Sequence, residues 1–361
     1  MRIGIITTMS GFPWGGSEFL WVETAKQALV EGNEVCISLF DWAVGQPQVV
    51  HLEKLGAKIF PQPRFEQPPK PSQYFRDFLA IDFDRLVISQ GSTFDVLGSP
   101  ELLKLFDNIN IPYSVICQLN SDDIFLDDAQ RLPAYQFLSK AKSAAFVSLA
   151  NLLTAQRQLA KNLPNAIVVQ NPVNLSDSGY IEFPRTLPLR FASVARLDAR
   201  FKGQDILLEA LGTEIWKNRK WSCHLYGTGP DKKYLEDLAF HYGLAGRIHF
   251  MGHVNDIREI WAENHVLVLP SRAEGTPLAL VEAMLCGRPA IVTDVGGNTT
   301  WIEEGKTGFI AESPKAKYFG RALEKAWQAR LDWDRMGHTA HHVAKNKVDA
   351  SPGKTLLNAI I

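Results

Sequence analysis

The chain has 361 residues, long for a single core and comfortable for two α/β domains of ordinary size. Its 38 Lys and Arg against 39 Asp and Glu leave a formal charge of −1; cut near residue 172, the halves hold 14 basic against 17 acidic side chains and 24 against 22. Neither half is a basic surface, which excludes a general electrostatic case for nucleic acid and leaves peripheral membrane contact unsupported by charge.

Along the amino-terminal half, strand-like runs alternate with helical stretches: IGIITT, VCISLF, KIFP, RLVISQ, YSVICQL, AAFVSL and IVVQNPV. Such alternation predicts right-handed crossovers and a parallel sheet. The first connection carries Gly15 and Gly16 ahead of Ser17, which is placed to cap the following helix. Glycines there let the backbone approach a phosphate or sugar closely, although most such pairs are simply turns. Residues 61 to 71, PQPRFEQPPKP, hold five prolines and cannot continue a helix or a central strand, so a stiff surface excursion is expected. Asp122, Asp123, Asp127 and Asp128 form two acidic pairs, but they flank the start of an amphipathic stretch and suit a solvated helix start better than a metal. NPVNLSDSGYIEFPRTLP then separates the halves as a linker.

In the second half the strand LRFASVA leads into Arg196-Leu197-Asp198, then Phe201-Lys202-Gly203-Gln204-Asp205 and the helix ILLEAL. Two cations thus lie in a strand-to-helix connection, at the strand end where open α/β sheets bind ligands. A guanidinium grips two phosphate oxygens and an ammonium adds a compact second charge; taken alone, such a pair is more often an ordinary surface salt-bridge pattern. Further on, SRAEGTPLALVEAM (Ser271 to Met284) places Glu274 and Glu282 around a Gly275-Thr276-Pro277 turn. Thr276 reads as an N-cap with Pro277 as first helical residue, so a helix is expected from Pro277. Its amide end favours anionic or polar ligand groups. Glu282 has only apolar neighbours and needs partners, because an unpaired buried charge is very costly. Ribose hydroxyls, a structural Arg or two backbone amides would all serve.

Cys36, Cys117, Cys223 and Cys286 sit in apolar runs without close pairing or metal-ligand spacing, as buried thiols of a reducing compartment do. MRIGIITT is too short for a signal peptide and no run nears the ~20 apolar residues that span a bilayer, so a cytoplasmic protein is expected. His338, His341 and His342 lack acidic or cysteine partners and are expected at the surface.

RLDARFKGQDILLEA and EGTPLALVEAMLCGRPAIVTDVGG resemble the two signature segments of the retaining family-4 (group 1) glycosyltransferases, and YGTGPD, IHFMGHV and TGFI continue the likeness in order. It is dense over residues 190 to 312 and loose before them. The resemblance implies an α/β chain of GT-B architecture, two Rossmann-like domains facing across an interdomain cleft: 1–172 on the acceptor side, 173–340 on the sugar-nucleotide side, and 341–361 as a tail returning to the first domain. It implies a metal-independent, retaining transfer of a hexose, glucose being the first to try, from a UDP-sugar, UDP by family frequency, to a hydroxyl of a glycan or lipid-linked acceptor, with no cofactor. Arg196, Lys202 and Glu274 fall on the catalytic positions. Gly15, Gly16, Gln118, Gly227, Val254, Gly275, Thr276, Pro277, Leu278 and Glu282 fall on donor-binding ones.

Two positions depart from the family pattern. Gln118 stands where members often carry a histidine lining the sugar site, and an amide hydrogen-bonds a hydroxyl but is no base. Thr300 stands where a glutamate usually follows the VGG turn. A GT-B nucleotide-sugar epimerase and a noncatalytic sugar-nucleotide-binding protein are the alternatives. No G-x-G-x-x-G follows the first strand, which disfavours a nicotinamide dehydrogenase.

Overall fold

The computed structural model describes residues 1–9, 14–62, 71–175, 177 and 179–361, with only the backbone for 71–73. The chain divides into two units, Met1–Pro172 with Asp349–Ile361, and Val173–Val348.

The first unit holds β1 (Arg2–Thr7), β2 (Glu34–Phe40), β3 (Lys58–Gln62), β4 (Arg85–Ser92), β5 (Tyr113–Leu119), β6 (Ser143–Phe146) and β7 (Ala166–Val168). They form one parallel sheet in the order β3-β2-β1-β4-β5-β6-β7. Buried runs such as IIT and VCISLF have no polar face because helices cover both sides of such a sheet. Pro61 is tolerated because β3 is an edge strand. Most of the expected proline-rich excursion, 63–70, lies outside the described residues, as do residues 10–13 of the first connection. Asp127 closes a capping box with Gln130 at the helix Asp128–Lys140, and Asp122 pairs with Arg157. The helix Pro352–Ile360 buries Leu356, Leu357 and Ile360 with the residues of Phe19–Val30.

In the second unit β8 (Leu189–Val194), β9 (Trp221–Tyr226), β10 (Ile248–Gly252), β11 (Val266–Leu269), β12 (Ala290–Thr293) and β13 (Gly308–Ala311) form a parallel sheet in the order β10-β9-β8-β11-β12-β13. Its switch point lies between β8 and β11, the place where doubly wound sheets take ligands. Phe191, Trp216, Trp221 and Trp333 fill one face, and the helix Leu278–Leu285 covers the other.

The second unit also corrects two expectations. The helix Trp333–Lys347 belongs to it, so the return to the first unit starts at Asp349 and not at 341. His341, expected at the surface, is buried with Nδ1 2.5 Å from Leu285 O, which holds that helix down. The linker from Val173 onward is likewise tied to this unit: Arg288, wholly buried, donates to Ile181 O (3.0 Å) and Glu182 O (2.8 Å) as well as to Trp261 O, Asn264 O and Cys286 O. Carbonyls alone satisfy this guanidinium, and burial lowers its pKa to about 10.

Candidate functional site

Four loops leave the carboxyl ends of β8, β9, β11 and β12, and each is fastened to the next. After β8 the chain turns through Arg196 to a single helical turn, Ala199–Lys202, ended by Gly203. Gly203 has φ +65, and a Cβ there would stand 2.1 Å from Pro270 O, so only glycine lets this loop lie against the end of β11. Arg272 locks the same pair of loops. Its N–H donates to Phe201 O (2.8 Å), its Nη1 to Ala199 O (2.6 Å), and its fork grips both oxygens of Asp205 at 2.7 and 2.8 Å. On the other side Gly227, φ +125, packs where a Cβ would be 2.1 Å from Ala195 O. Leu197 N–H donates to Thr228 O (3.0 Å) and Ala199 N–H to Asp231 Oδ2 (2.8 Å). The loop after β12 closes the set, with Thr293 Oγ1 donating to Ser271 O (2.6 Å) and Gly297 N–H to Gly275 O (3.0 Å).

This frame brings Lys202 and Glu274 together. Lys202 Nζ lies 2.9 Å from both carboxylate oxygens of Glu274, and Ser271 Oγ donates to Oε1 at 2.6 Å. Glu274 is buried while the ammonium stays partly accessible. Arg196 turns to Asp198, and its own carbonyl takes a bond from Gln204 Nε2 (2.8 Å). Both cations therefore sit at the switch point, each already facing a carboxylate.

Past Glu274, the half-buried Gly275 and Thr276 lead to a helix that starts one residue later than its sequence predicts. It spans Leu278–Leu285, and Pro277 is the N-cap with no side-chain cap bond, so Thr276 does not cap it. Pro277 at ψ 82 lies outside the helical region, while its carbonyl accepts from Leu280 and Val281 N–H. Glu282 follows on the buried side, 4 % exposed, with the Asn174 N–H as its hydrogen-bond donor. Burial among apolar side chains outweighs that bond and pushes its pKa up to about 8. Val254, half-buried after β10, packs on the same apolar cluster.

Gly15, Gly16 and Gln118 belong to the first unit. Gly15 is extended and Gly16 opens a 3-10 turn, Gly16–Glu18, after which the helix Phe19–Val30 begins; Ser17 is therefore not its cap. Glu18 belongs to none of the motifs legible in the sequence. It is buried, takes bonds from Trp21 Nε1 (2.9 Å), Thr7 Oγ1 (3.3 Å) and Ser17 Oγ (3.4 Å), and burial raises its pKa to about 7. An acid amid the apolar residues of that helix start was the available signal. Gln118, next to last in β5, is buried, its Oε1 accepting from Asn171 Nδ2 at 2.7 Å, while its Nε2 has no partner among the described residues. Arg272, Asp205 and Ser271 also escape a reading by motif; their value lies in contacts between loops far apart in sequence.

Residues 188–329 match the family model described as glycosyl transferases group 1. An uncharacterized glycosyltransferase of Methanocaldococcus jannaschii is 27% identical over 190 residues, covering 48% of each chain. The Escherichia coli UDP-Gal:alpha-D-GlcNAc-diphosphoundecaprenol alpha-1,3-galactosyltransferase is 36% identical over 122 residues, 33% of this chain and 30% of that one. The chain thus spans about half the length, or less, of these curated relatives. Among solved structures, Anabaena HepE in complex with UDP superposes with a TM-score of 0.75 at 18% identity, covering 99% of both chains. The lipopolysaccharide outer core galactosyltransferase WaaB superposes at 0.73 and 17%, again over 99% of both.

Proposed function

We propose that this chain, whose residues 188–329 match the group 1 glycosyltransferase model and whose fold is that of GT-B structures, transfers a hexose, glucose in the first instance, from a UDP-sugar to a hydroxyl of a glycan or lipid-linked acceptor with retention of anomeric configuration. The observation that carries this reading is the Lys202–Glu274 pair, fixed by interlocked loops at the sheet's switch point. Arg196 and Lys202 stabilise the charge that grows on the departing diphosphate, a contribution realised mainly in the transition state. Glu274 positions Lys202 and accepts from hydroxyls of the donor sugar, and Glu282 accepts from the ribose. The bond from the anomeric carbon to phosphate oxygen breaks, a bond to the acceptor oxygen forms on the same face, and the acceptor's proton passes to the phosphate oxygen. No protein base is needed, so Gln118 in place of histidine is compatible with turnover. Two fixed cations stand in for a metal, and four buried thiols suit work in the cytoplasm. Gln118 gives the second reading, a noncatalytic sugar-nucleotide-binding protein, distinguished by donor binding without transfer or hydrolysis.

The test is a thermal-shift panel of nucleotide sugars. A ligand at ~100 times its dissociation constant stabilises by about 2.7 kcal/mol. UDP-glucose is expected to shift the transition, and no shift with any nucleotide sugar overturns the reading.

A further inference from the structure

The helical turn that carries Lys202 is too short to hold itself. It spans the four residues Ala199–Lys202, and an isolated turn has no stability of its own in water. Gly203 follows, and the helix Gln204–Leu211 begins at once, so the direction of Lys202 is set by whatever grips the residues on either side. Arg272 grips both sides. Its Nη1 donates to Ala199 O at 2.6 Å, the carbonyl that also takes Gly203 N–H (3.0 Å) to close the turn. Its fork reaches past Gly203 to Asp205 in the next helix, Nη1 to Oδ1 at 2.7 Å and Nη2 to Oδ2 at 2.8 Å. Ala199 and Asp205 lie three residues before and three after Lys202. The lysine thus stands at the middle of a span whose two ends are bonded to one planar group.

Glu274 hangs from the same residue. Arg272 lies two positions before it and directly after Ser271, whose hydroxyl donates to Glu274 Oε1 at 2.6 Å. One guanidinium therefore joins the two loops whose charged groups meet at 2.9 Å. A bidentate fork fixes orientation as well as distance, which a point charge does not. Main-chain bonds also join these loops, Phe201 O accepting from Arg272 N–H (2.8 Å) and Ala273 N–H (3.3 Å). Those bonds survive any side chain at 272, so they keep the loops in contact without setting the angle of the turn. Arg196 is held by other groups, Asp198 at its side chain and Gln204 Nε2 at its carbonyl.

We propose that Arg272 is the positioning residue of the Lys202–Glu274 pair, the side chain that fixes where the ammonium stands against the carboxylate. Its effect on transfer rests on the function proposed above; its effect on Lys202 does not.

The test pairs NMR of the reductively methylated, ligand-free full chain with kinetics of the unmodified protein. The Lys202 methyl signal is assigned by its absence in Lys202→Arg. Arg272→Ala is expected to move that signal toward those of exposed lysines. In the folded variant, turnover of UDP-glucose should fall roughly ten- to a hundredfold through misplacement of the pair. UDP affinity should fall far less, because Arg196 keeps its own supports. Methylguanidinium, well below denaturing concentration, should restore part of both the signal position and the turnover, and methylammonium neither, since it lacks the fork. Arg272→Lys keeps the charge opposite Asp205 and should recover stability without recovering turnover. A Lys202 signal unmoved in both variants, turnover in them equal to that of the wild type, or rescue that does not distinguish the two cations overturns the positioning role. A wild type that never turns over UDP-glucose while the Lys202 signal moves as expected overturns the transferase reading alone.

Discussion

Lys202 Nζ stands equidistant, at 2.9 Å, from the two carboxylate oxygens of Glu274. In the proposed mechanism an ammonium so held is aimed before the donor arrives, and little reorganisation is needed as diphosphate charge develops. Lys202→Ala and Arg196→Ala should each lower kcat by the equivalent of ~2–4 kcal/mol of barrier, with the urea midpoint changed little in Arg196→Ala but lowered in Lys202→Ala, where the buried Glu274 loses its cation. Near-normal turnover in both variants removes them from the site.

Glu274 and Glu282 should separate by ligand. Glu282→Gln is expected to weaken UDP and UDP-glucose by similar factors. Glu274→Gln should leave UDP nearly intact, reduce the advantage of UDP-glucose over UDP, and slow transfer roughly a hundredfold through loss of positioning. Calorimetric titration of both variants with both ligands checks this division; UDP weakened equally by the two substitutions contradicts it.

Stability should fall as pH rises from about 6.5 to about 8 because of Glu282, whereas at lower pH the buried imidazoles of His224 and His265, lowered by burial to about 4, oppose it. The Glu282 carboxyl titrates at about 8 in the folded protein against 4.5 as its ordinary value. Between those values the native state binds the extra proton, so this contribution is fully present below the unfolded value and is lost as pH rises through the folded one. The span is on the order of a few kcal/mol. Glu282→Gln should flatten the slope in nucleotide-free urea titrations, leaving the smaller one due to Glu18, raised to about 7. A slope unchanged by the substitution rules Glu282 out as its source.

Much of the fold was legible because each strand is an apolar run bounded by turns, a signal that survives without tertiary context. The segments 196–205 and 271–284 stood out because each gathers its charges within a few positions, while the pairing of Lys202 with Glu274, 72 positions apart, shows only in the fold. What stayed hidden depends on partners far away. Pro277 falls outside the helix because the loop before it is held by Gly297 N–H on Gly275 O, contacts that local propensity does not see. Arg272 gives no local signal, because its partners Asp205 and Ala199 O lie some 70 positions earlier. His341 looked solvated because its acceptor, Leu285 O, is 56 residues away.

Gly203→Ala should damage both the fold and the site. A non-glycine residue in the left-handed region costs about 1–2 kcal/mol, and the added Cβ must also push away Pro270 O. Stability is expected to fall by about 2 kcal/mol or more, with UDP affinity falling beside it because Lys202 moves. An unchanged urea midpoint contradicts the close packing of these loops.

Transfer, or slow hydrolysis of UDP-glucose, should persist in EDTA at an unchanged rate, since in the proposed mechanism Arg196 and Lys202 carry the diphosphate charge. Complete loss on chelation, restored by Mn²⁺ or Mg²⁺, contradicts a metal-independent mechanism.

The packing of Leu356, Leu357 and Ile360 with the helix Phe19–Val30 sets an order of events during synthesis. Domains commonly fold amino end first as they emerge from the ribosome. Here the leading unit waits for its last helix until all 176 positions from Val173 to Val348 have been translated, so for that interval the side of Phe19–Val30 that meets this helix lacks that cover. A nascent chain halted at Val348 should therefore bind holdase chaperones through its earliest-made half, not its newest.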